Sequence, residues 1–350
     1  MKSQLLSVTV IIPVHKITDA FNLCIDSVMN ALQQSDEVIV VGDGLDSGSF
    51  NFLPNRSQIK ILANGKISGP AAARNFGANS AKGDILFFID SDVTVEPDTI
   101  EKIVSVFQNK KDVAAIIGSY DDEPADKNFV SQYKNLMHHY IHQVSHENAS
   151  TFWGACGAVR KDVFLSLGGY NEDYVKPSIE DIEFGYRLIN AGYKIRLCKN
   201  IQVKHYKRWT FSLMFKTDFL HRALPWTRLM VHHNRFLNDL NVKSSSRLSV
   251  ILLFLSIFFL ITSLFVQEFL FPAVISAFLL LTINYSFYSF FRRKRGLFFA
   301  LRVIPFHWFY FFYSGVAFGS VLIINLVEKT FYSSGKRTKL VTGYLKKPVQ

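Results

Sequence analysis

The chain has 350 residues, with 39 Lys and Arg against 28 Asp and Glu. Residues from about 248 to 327 are almost entirely apolar and rich in Phe, Leu and Ile, which reads as membrane-embedded by length and composition. The basic excess lies there too. Beyond Arg247 there are 11 Lys and Arg against Glu268 and Glu328, so the preceding region is close to neutral and lacks the basic footprint of a nucleic-acid binder.

Met1 to Leu6 is short and polar, so no secretory signal is expected. Val8 to Val14 reads as a first strand, followed by a helix over Ala20 to Leu32 with Asp19 as its N-cap. Glu37 to Val41 is a second strand. It stops at Gly42-Asp43-Gly44, where glycines permit a tight turn beside a ligand. Ile59 to Leu62 is a short third strand, and Gly69 to Ser80 a helix with a small Gly/Ala face. Ile85 to Ile89 is a continuous apolar run and reads as a buried strand of a parallel sheet. Val113 to Ser119 is a further strand. Tyr133 to Val144 is helical, and its His138, His139 and His142 read as packing or surface residues rather than a metal cluster. Ile179 to Ala191 is a helix with Ile182, Tyr186 and Ile189 on one face, stopped by Gly192. This alternation predicts an α/β, doubly wound sheet with helical crossovers. Cys24, Cys156 and Cys198 have no pairing or metal spacing, as expected of reduced cytosolic thiols.

Three apolar segments follow. Leu248 to Val266 and Phe269 to Phe291 would each span, joined by a tight turn at Gln267-Glu268. Leu297 to Val327 is too long for one untilted span. Arg302 and Pro305 predict an interfacial helix first and a span from about Phe306. Gly315 and Gly319 form a Gly-x-x-x-Gly pair suited to close helix packing. Two spans return the chain to the cytosol at Arg292-Arg293-Lys294-Arg295. A third would carry the basic tail from Lys329 outside, against the positive-inside rule, so the side of the tail stays open. The expected organisation is a cytosolic domain over 1–240, a membrane region over 248–327 and a basic tail over 328–350.

The chemistry concentrates after the Ile85–Ile89 strand, at Asp90-Ser91-Asp92. Ligands of open α/β sheets bind beyond the carboxyl ends of such strands. Two carboxylates one residue apart repel unless a cation lies between them. Mg²⁺ or Mn²⁺ carrying a diphosphate is the natural cation for such a pair.

Six pieces occur in one order: Val10-Ile11-Ile12-Pro13, Val40-Val41-Gly42-Asp43-Gly44, Gly69-Pro70-Ala71-Ala72-Ala73-Arg74-Asn75, Asp90-Ser91-Asp92, Gly168-Gly169-Tyr170-Asn171-Glu172 and Glu180-Asp181. With their spacing, residues 7 to about 210 resemble a family 2 glycosyltransferase. The resemblance implies a GT-A-type doubly wound mixed sheet and an inverting enzyme with a nucleotide-sugar donor and a divalent cation. It implies donor contacts from Pro13, Asp43, Arg74, Asp90, Ser91 and Gly154, and metal ligation by Asp92, Asp90 and His205. The family usually has two acids at the second motif, and Gly42 replaces the first.

Direct displacement at the anomeric carbon needs a base for the acceptor hydroxyl. Asp181 is the candidate, with Glu180 holding the acceptor or orienting Asp181. Trp153, in the small-residue loop Trp153-Gly154-Ala155-Cys156-Gly157, would stack on a sugar or pack in the core. His221-Arg222-Ala223-Leu224-Pro225-Trp226 only partly resembles the Gln-x-x-Arg-Trp motif of processive synthases, because the first residue differs and Pro225 replaces the arginine. Arg208, Trp209, Arg222 and Trp226 are instead expected at the membrane surface, near a lipid or polyprenyl-phosphate acceptor. The expectation is a multi-pass cell-membrane enzyme with a cytoplasmic active site. The alternatives are a processive polysaccharide synthase and a catalytically decayed assembly or binding subunit. A transporter would need more intramembrane charge than Glu268, Arg302 and His307 supply.

Overall fold

The computed structural model describes residues 6–54, 57–63, 65–232 and 240–333. They form two compact units that divide between Thr210 and Phe211.

The first unit is built on a nine-stranded mixed sheet. It opens with β1 (Val8–Val14), α1 (Asp19–Ala31), β2 (Glu37–Gly42), β3 (Ile59–Ala63), α2 (Pro70–Ser80) and β4 (Ile85–Ile89). Their spatial order is β3-β2-β1-β4, all parallel, as helical crossovers require. Thr18, not Asp19, caps α1, with its side chain accepting from the Phe21 amide. Helix α2 starts with Gly69 at the cap and Pro70 at the first turn, where its missing N–H costs nothing. All five residues of β4 are buried, which explains the unbroken apolar run.

The second half reverses direction. It comprises β5 (Val93–Val95), α3 (Thr99–Asn109), β6 (Val113–Tyr120), α4 (Phe129–Val144), β7 (Asn148–Ala149), β8 (Cys156–Arg160), α5 (Lys161–Ser166), α6 (Glu180–Asn190) and β9 (Lys194–His205). Strand β8 lies antiparallel between β4 and β6, so the sheet is mixed. That pairing sets Cys156 opposite Ile89, which brings the loop before β8 to the carboxyl end of β4. Strand β9 runs on to His205 itself and pairs Val93 with His205. The three cysteines are free and buried. Burial pushes the Cys156 thiol up to about 12 and that of Cys198 up to about 11, so neither is a nucleophile at neutral pH.

The second unit is helical. It contains α7 (Phe211–Asp218), a π-helical turn over Phe219–Ala223, α8 (Leu224–His232), α9 (Ser244–Thr262), α10 (Leu270–Ile283), α11 (Tyr285–Arg295) and α12 (Leu297–Ser333). Phe211 and Phe215 of α7 pack against Phe309 of α12. Residues 211–232 therefore pack with the apolar helices, ahead of the boundary near 240 that the sequence led us to expect.

Among the described residues, two helices are long and apolar enough to cross a membrane, Ser244–Thr262 and Leu297–Glu328, of 19 and 32 residues. The segment expected to span over Phe269 to Phe291 is a pair of helices, Gln267–Ile283 and Tyr285–Arg295, that meet at Asn284 with a bend of 59°. The Asn284 side chain donates to the Leu280 carbonyl and to Ser249 Oγ, both at 2.9 Å. It thereby satisfies a backbone oxygen near the helix end and ties the break to α9. The expected break near Pro305 is absent, because α12 runs through it as one helix. Packed apolar helices tolerate such a proline when neighbours satisfy the freed backbone. Gly315 allows close approach, since a Cβ there would lie 2.9 Å from Val250 Cγ1 of α9; at Gly319 nothing lies within 4 Å. Of the basic tail expected over 328–350, residues 328–333 continue α12 and the rest lies outside the described residues.

Candidate active site

The carboxyl ends of β1, β2 and β4 point to one edge of the sheet. Pro13 stands half-buried at the end of β1. Asp43 follows β2 and is buried. Its carboxylate accepts from the backbone N–H groups of Ser68 and Gly69, clamping the loop that leads into α2. Gly69 has φ +87°, and a Cβ there would meet the Val175 carbonyl, so only glycine fits this crossing. Gly42 is explained by packing: a Cβ there would lie 3.0 Å from Phe50 and 3.2 Å from Leu45. Val41, Gly42, Asp43, Ser68, Ala72, Ala73 and Phe76 line a small cleft at this place.

Asp90, Ser91 and Asp92 leave β4 half-buried. The sheet register sets His205 beside them. Its Nε2 lies 3.5 Å from Asp92 Oδ2, and its ring stacks on Tyr120 at 4.6 Å and 7°. The Tyr206 amide also donates to the Asp92 carbonyl, at 2.9 Å. Burial alone would raise the Asp92 pKa, but the His205 hydrogen bond, the His205 charge and Lys207 outweigh it. The Asp92 carboxyl is held below the usual carboxylate range. Asp90 uses Oδ1 for Arg74, and the cation beside it is thus the chain's own guanidinium.

Arg74 does not open onto the site as a diphosphate contact would. It is 4% exposed. Its Nη2 donates to Asp90 Oδ1 at 2.7 Å and its Nη1 to Glu180 Oε1 at 3.0 Å. Burial works against its charge, but Asp90, Tyr170, Glu180 and Asp181 outweigh that and hold the proton more firmly. Glu180 is buried as well, and its other oxygen accepts from the Ser178 amide at 2.9 Å. The expectation that Glu180 holds the acceptor is therefore corrected, because its carboxylate is turned inward to Arg74.

Asp181 is half-buried in the first turn of α6. Its Oδ2 accepts from the Gly154 amide at 2.9 Å, and Oδ1 from the Ile182 amide at 2.8 Å. These bonds fix the carboxylate while one edge of the residue stays open to solvent. Gly154 itself is buried, and a Cβ there would sit 3.2 Å from Arg74 Cζ. Trp153 packs against Tyr120, His138 and His142, with centroids 4.8, 4.7 and 5.2 Å away. Its aromatic contacts are thus with the core. His139 and His142 each bond a β6 carbonyl, those of Tyr120 and Gly118, and so tie α4 to the sheet. Among the described residues, no three His, Cys, Asp or Glu side chains form a complete metal site.

Two of the residues expected at the membrane surface sit differently. Arg208 pairs with Asp126 at 3.7 Å, and the Trp209 amide donates to Ser131 Oγ at 2.7 Å, both within the sheet unit. Arg222 and Trp226 belong to the helical unit, in the π turn and in α8. Sequence reasoning gave no role to Asn75 or Tyr170. Asn75 Nδ2 donates to the Tyr170 carbonyl and Glu172, and its Oδ1 accepts the Tyr170 amide. The available signal was that both residues stand inside recurring motif pieces.

Residues 9–168 match the family described as Glycosyl transferase family 2. This is a family 2 glycosyltransferase domain. Residues 136–210 of the same unit also match the N-terminal domain of galactosyltransferase. The glycosyltransferase domain is similar to the O-antigen chain rhamnosyltransferase WbaN of Salmonella anatum, 26% identical over 63% of this chain and 74% of WbaN. It is also similar to the glycosyltransferase GlyA of Streptococcus pneumoniae, 23% identical over 64% of this chain. The chain spans only 32% of the length of GlyA. Among solved structures, it resembles the mannosyltransferase PcManGT from Pyrobaculum calidifontis, in complex with GDP-Man and Mn²⁺. The TM-score is 0.54 with 14% identity, covering 93% of this chain and 89% of that one, and the likeness is one of fold. The domain thus has the GT-A arrangement.

Proposed function

We propose that the protein is a membrane-anchored inverting glycosyltransferase. It transfers one sugar from a nucleotide-diphosphate sugar to a membrane-associated acceptor, a lipid or polyprenyl phosphate. The observation that carries this reading is the convergence of Asp90, Asp92, His205 and Asp181, drawn from the ends of β4 and β9 and the start of α6, on one edge of the sheet. The apolar helices support a membrane acceptor, as a soluble one would not need them. The O-antigen activity named for WbaN agrees.

Asp92 and His205 fit a divalent cation. A carboxylate and an imidazole meet at 3.5 Å, the ring is held by Tyr120, and Asp90 keeps Oδ2 in reserve. Two or three such donors suit a cation that takes its remaining ligands from diphosphate and water. When bound, Mg²⁺ or Mn²⁺ would neutralise the charge that builds on the leaving diphosphate. The chain's own residues do the rest. The cleft beside Asp43 receives the nucleobase, and the carboxylate retains lone pairs beyond those given to Ser68 and Gly69. Pro13, Ser91 and the Gly154 backbone line the donor side. Asp181 accepts the proton of the acceptor hydroxyl as that oxygen attacks the anomeric carbon from the face opposite the diphosphate. Arg222 and Trp226 serve the acceptor at the membrane surface.

The test is a panel of UDP-, GDP- and dTDP-sugars, supplied with Mn²⁺ and a bacterial lipid extract to the detergent-purified protein. One donor should be consumed and its sugar recovered on lipid with inverted anomeric configuration by NMR. Retention would rule out single displacement. A repeating polymer as product would favour a processive synthase.

A further inference from the structure

We propose that Arg74 is a positioning residue. It locks the donor motif at the end of β4 to the base-bearing start of α6, rather than gripping the donor's diphosphate. This rests on the glycosyl-transfer reading above and deepens it.

Both Nη atoms of the guanidinium are engaged by carboxylates. One Nη takes Asp90 at 2.7 Å and the other takes Glu180 at 3.0 Å. Gly154 lies so close that an added Cβ would come within 3.2 Å of Cζ, and the Tyr170 ring centroid is 5.6 Å from Cζ. The side chain is 5% exposed, and Nε has no hydrogen-bond partner. To reach this buried cation a phosphate would have to displace Asp90 or break the buried pair with Glu180.

The partners of Arg74 explain what the lock holds. Glu180 directly precedes Asp181, so fixing Glu180 fixes the first turn of α6 from which Asp181 projects. Gly154, which lies against the guanidinium, donates its N–H to Asp181 at 2.9 Å. Asp90 stands two residues before Asp92. One side chain on α2 thus sets the spacing between the donor side and the base, across 106 positions of sequence to Glu180. A planar fork does this where a lysine's single point charge would not hold both carboxylates in fixed geometry. Tyr170, whose buried hydroxyl also lacks a partner, completes the wall of this compartment.

The experiment uses the full-length protein in detergent with Arg74→Lys, Glu180→Gln and the double variant. Each single change should lower kcat about 10- to 100-fold, the scale of a small misplacement, with donor KM nearly unchanged. Affinity for UDP or GDP with Mn²⁺, measured by calorimetry, should likewise stay near wild type. The double variant should be no slower than the slower single variant, because both break one link. Hydrogen exchange at residues 178–182 should quicken in Arg74→Lys. The proposal is overturned if Arg74→Lys weakens nucleotide binding while Glu180→Gln is neutral, which would make Arg74 a phosphate ligand. Multiplicative losses in the double variant would also overturn it. If the wild type consumes no nucleotide-sugar, the functional reading fails by itself. Hydrogen exchange then decides the lock: quickening at 178–182 sustains it and unchanged protection overturns it.

Discussion

Asp181, the base we propose, is half-buried with its carboxylate held by backbone amides. The bonds from the Gly154 and Ile182 backbone amides do not depend on substrate. Asp181→Asn keeps the shape and removes the basicity. Turnover should fall by about 10² to 10⁴, the usual contribution of a general base, while nucleotide affinity stays near wild type. A collapse of nucleotide binding in calorimetry would place Asp181 on the donor side instead. Asp92 makes a different prediction. With His205 at 3.5 Å it forms the pair we propose for the metal, so Asp92→Ala and His205→Ala should each weaken UDP or GDP binding in Mn²⁺. Binding in chelator should not change. Equal loss with and without metal would mean a folding defect, which circular dichroism would reveal.

At the scale of elements, α4 is tied to β6 by imidazoles rather than by apolar contact alone. His142 Nδ1 lies 2.9 Å from the Gly118 carbonyl. Burial of the ring dominates its titration, the Gly118 bond opposes, His139 assists, and the pKa falls from 6.5 to about 4. The folded state therefore binds fewer protons than the unfolded one across this window. Stability from His142 is complete above pH 6.5 and drains away as pH falls toward about 4, a loss on the order of 3 kcal/mol. Urea unfolding from pH 7.5 to 4.5 should show this slope in the wild type and a shallower one in His142→Gln. Parallel slopes would show that the charge of His142 is accommodated elsewhere.

Several elements were readable from local pattern and others were not. The five apolar residues of β4 announced a buried strand, and it is buried throughout. The acids after it were placed at the sheet edge by a general property of such sheets. The distance from Asp92 to His205 was not readable, because it depends on the β5–β9 register between strands far apart in sequence. The inward turn of Arg74 to Glu180 was hidden for the same reason. In the helical unit, hydropathy runs unbroken from Phe269 to Phe291, yet one asparagine side chain stabilises a break. Pro305 misled in the opposite sense, since neighbours in a packed helix can compensate a missing amide.

Among the described residues, each unit contains an apolar core of its own. One is the sheet core, from Val8 to Val203. The other is centred on Leu252, Leu253, Leu280 and Phe311. A chain ended at Thr210 keeps every residue of the first core and every proposed donor ligand. It should fold, dissolve without detergent and bind nucleotide with Mn²⁺ as the full chain does. Its transfer to lipid in vesicles should fall steeply, because anchoring raises the local concentration of enzyme at the surface. Undiminished transfer would point to a water-soluble acceptor, and lost nucleotide binding would make the helical unit part of the catalytic fold.

The burial of all three native thiols makes the protein a silent background for side-specific labelling. Cysteines introduced singly at Glu268 and Arg293, both exposed, would mark the two ends of the α10–α11 pair. In sealed membrane vesicles of one orientation, a membrane-impermeant maleimide should reach one of Glu268→Cys and Arg293→Cys and spare the other if the bent pair traverses the bilayer. If the pair re-enters instead, both positions face the same compartment and react alike. The outcome would also fix the side of the membrane on which α12 begins.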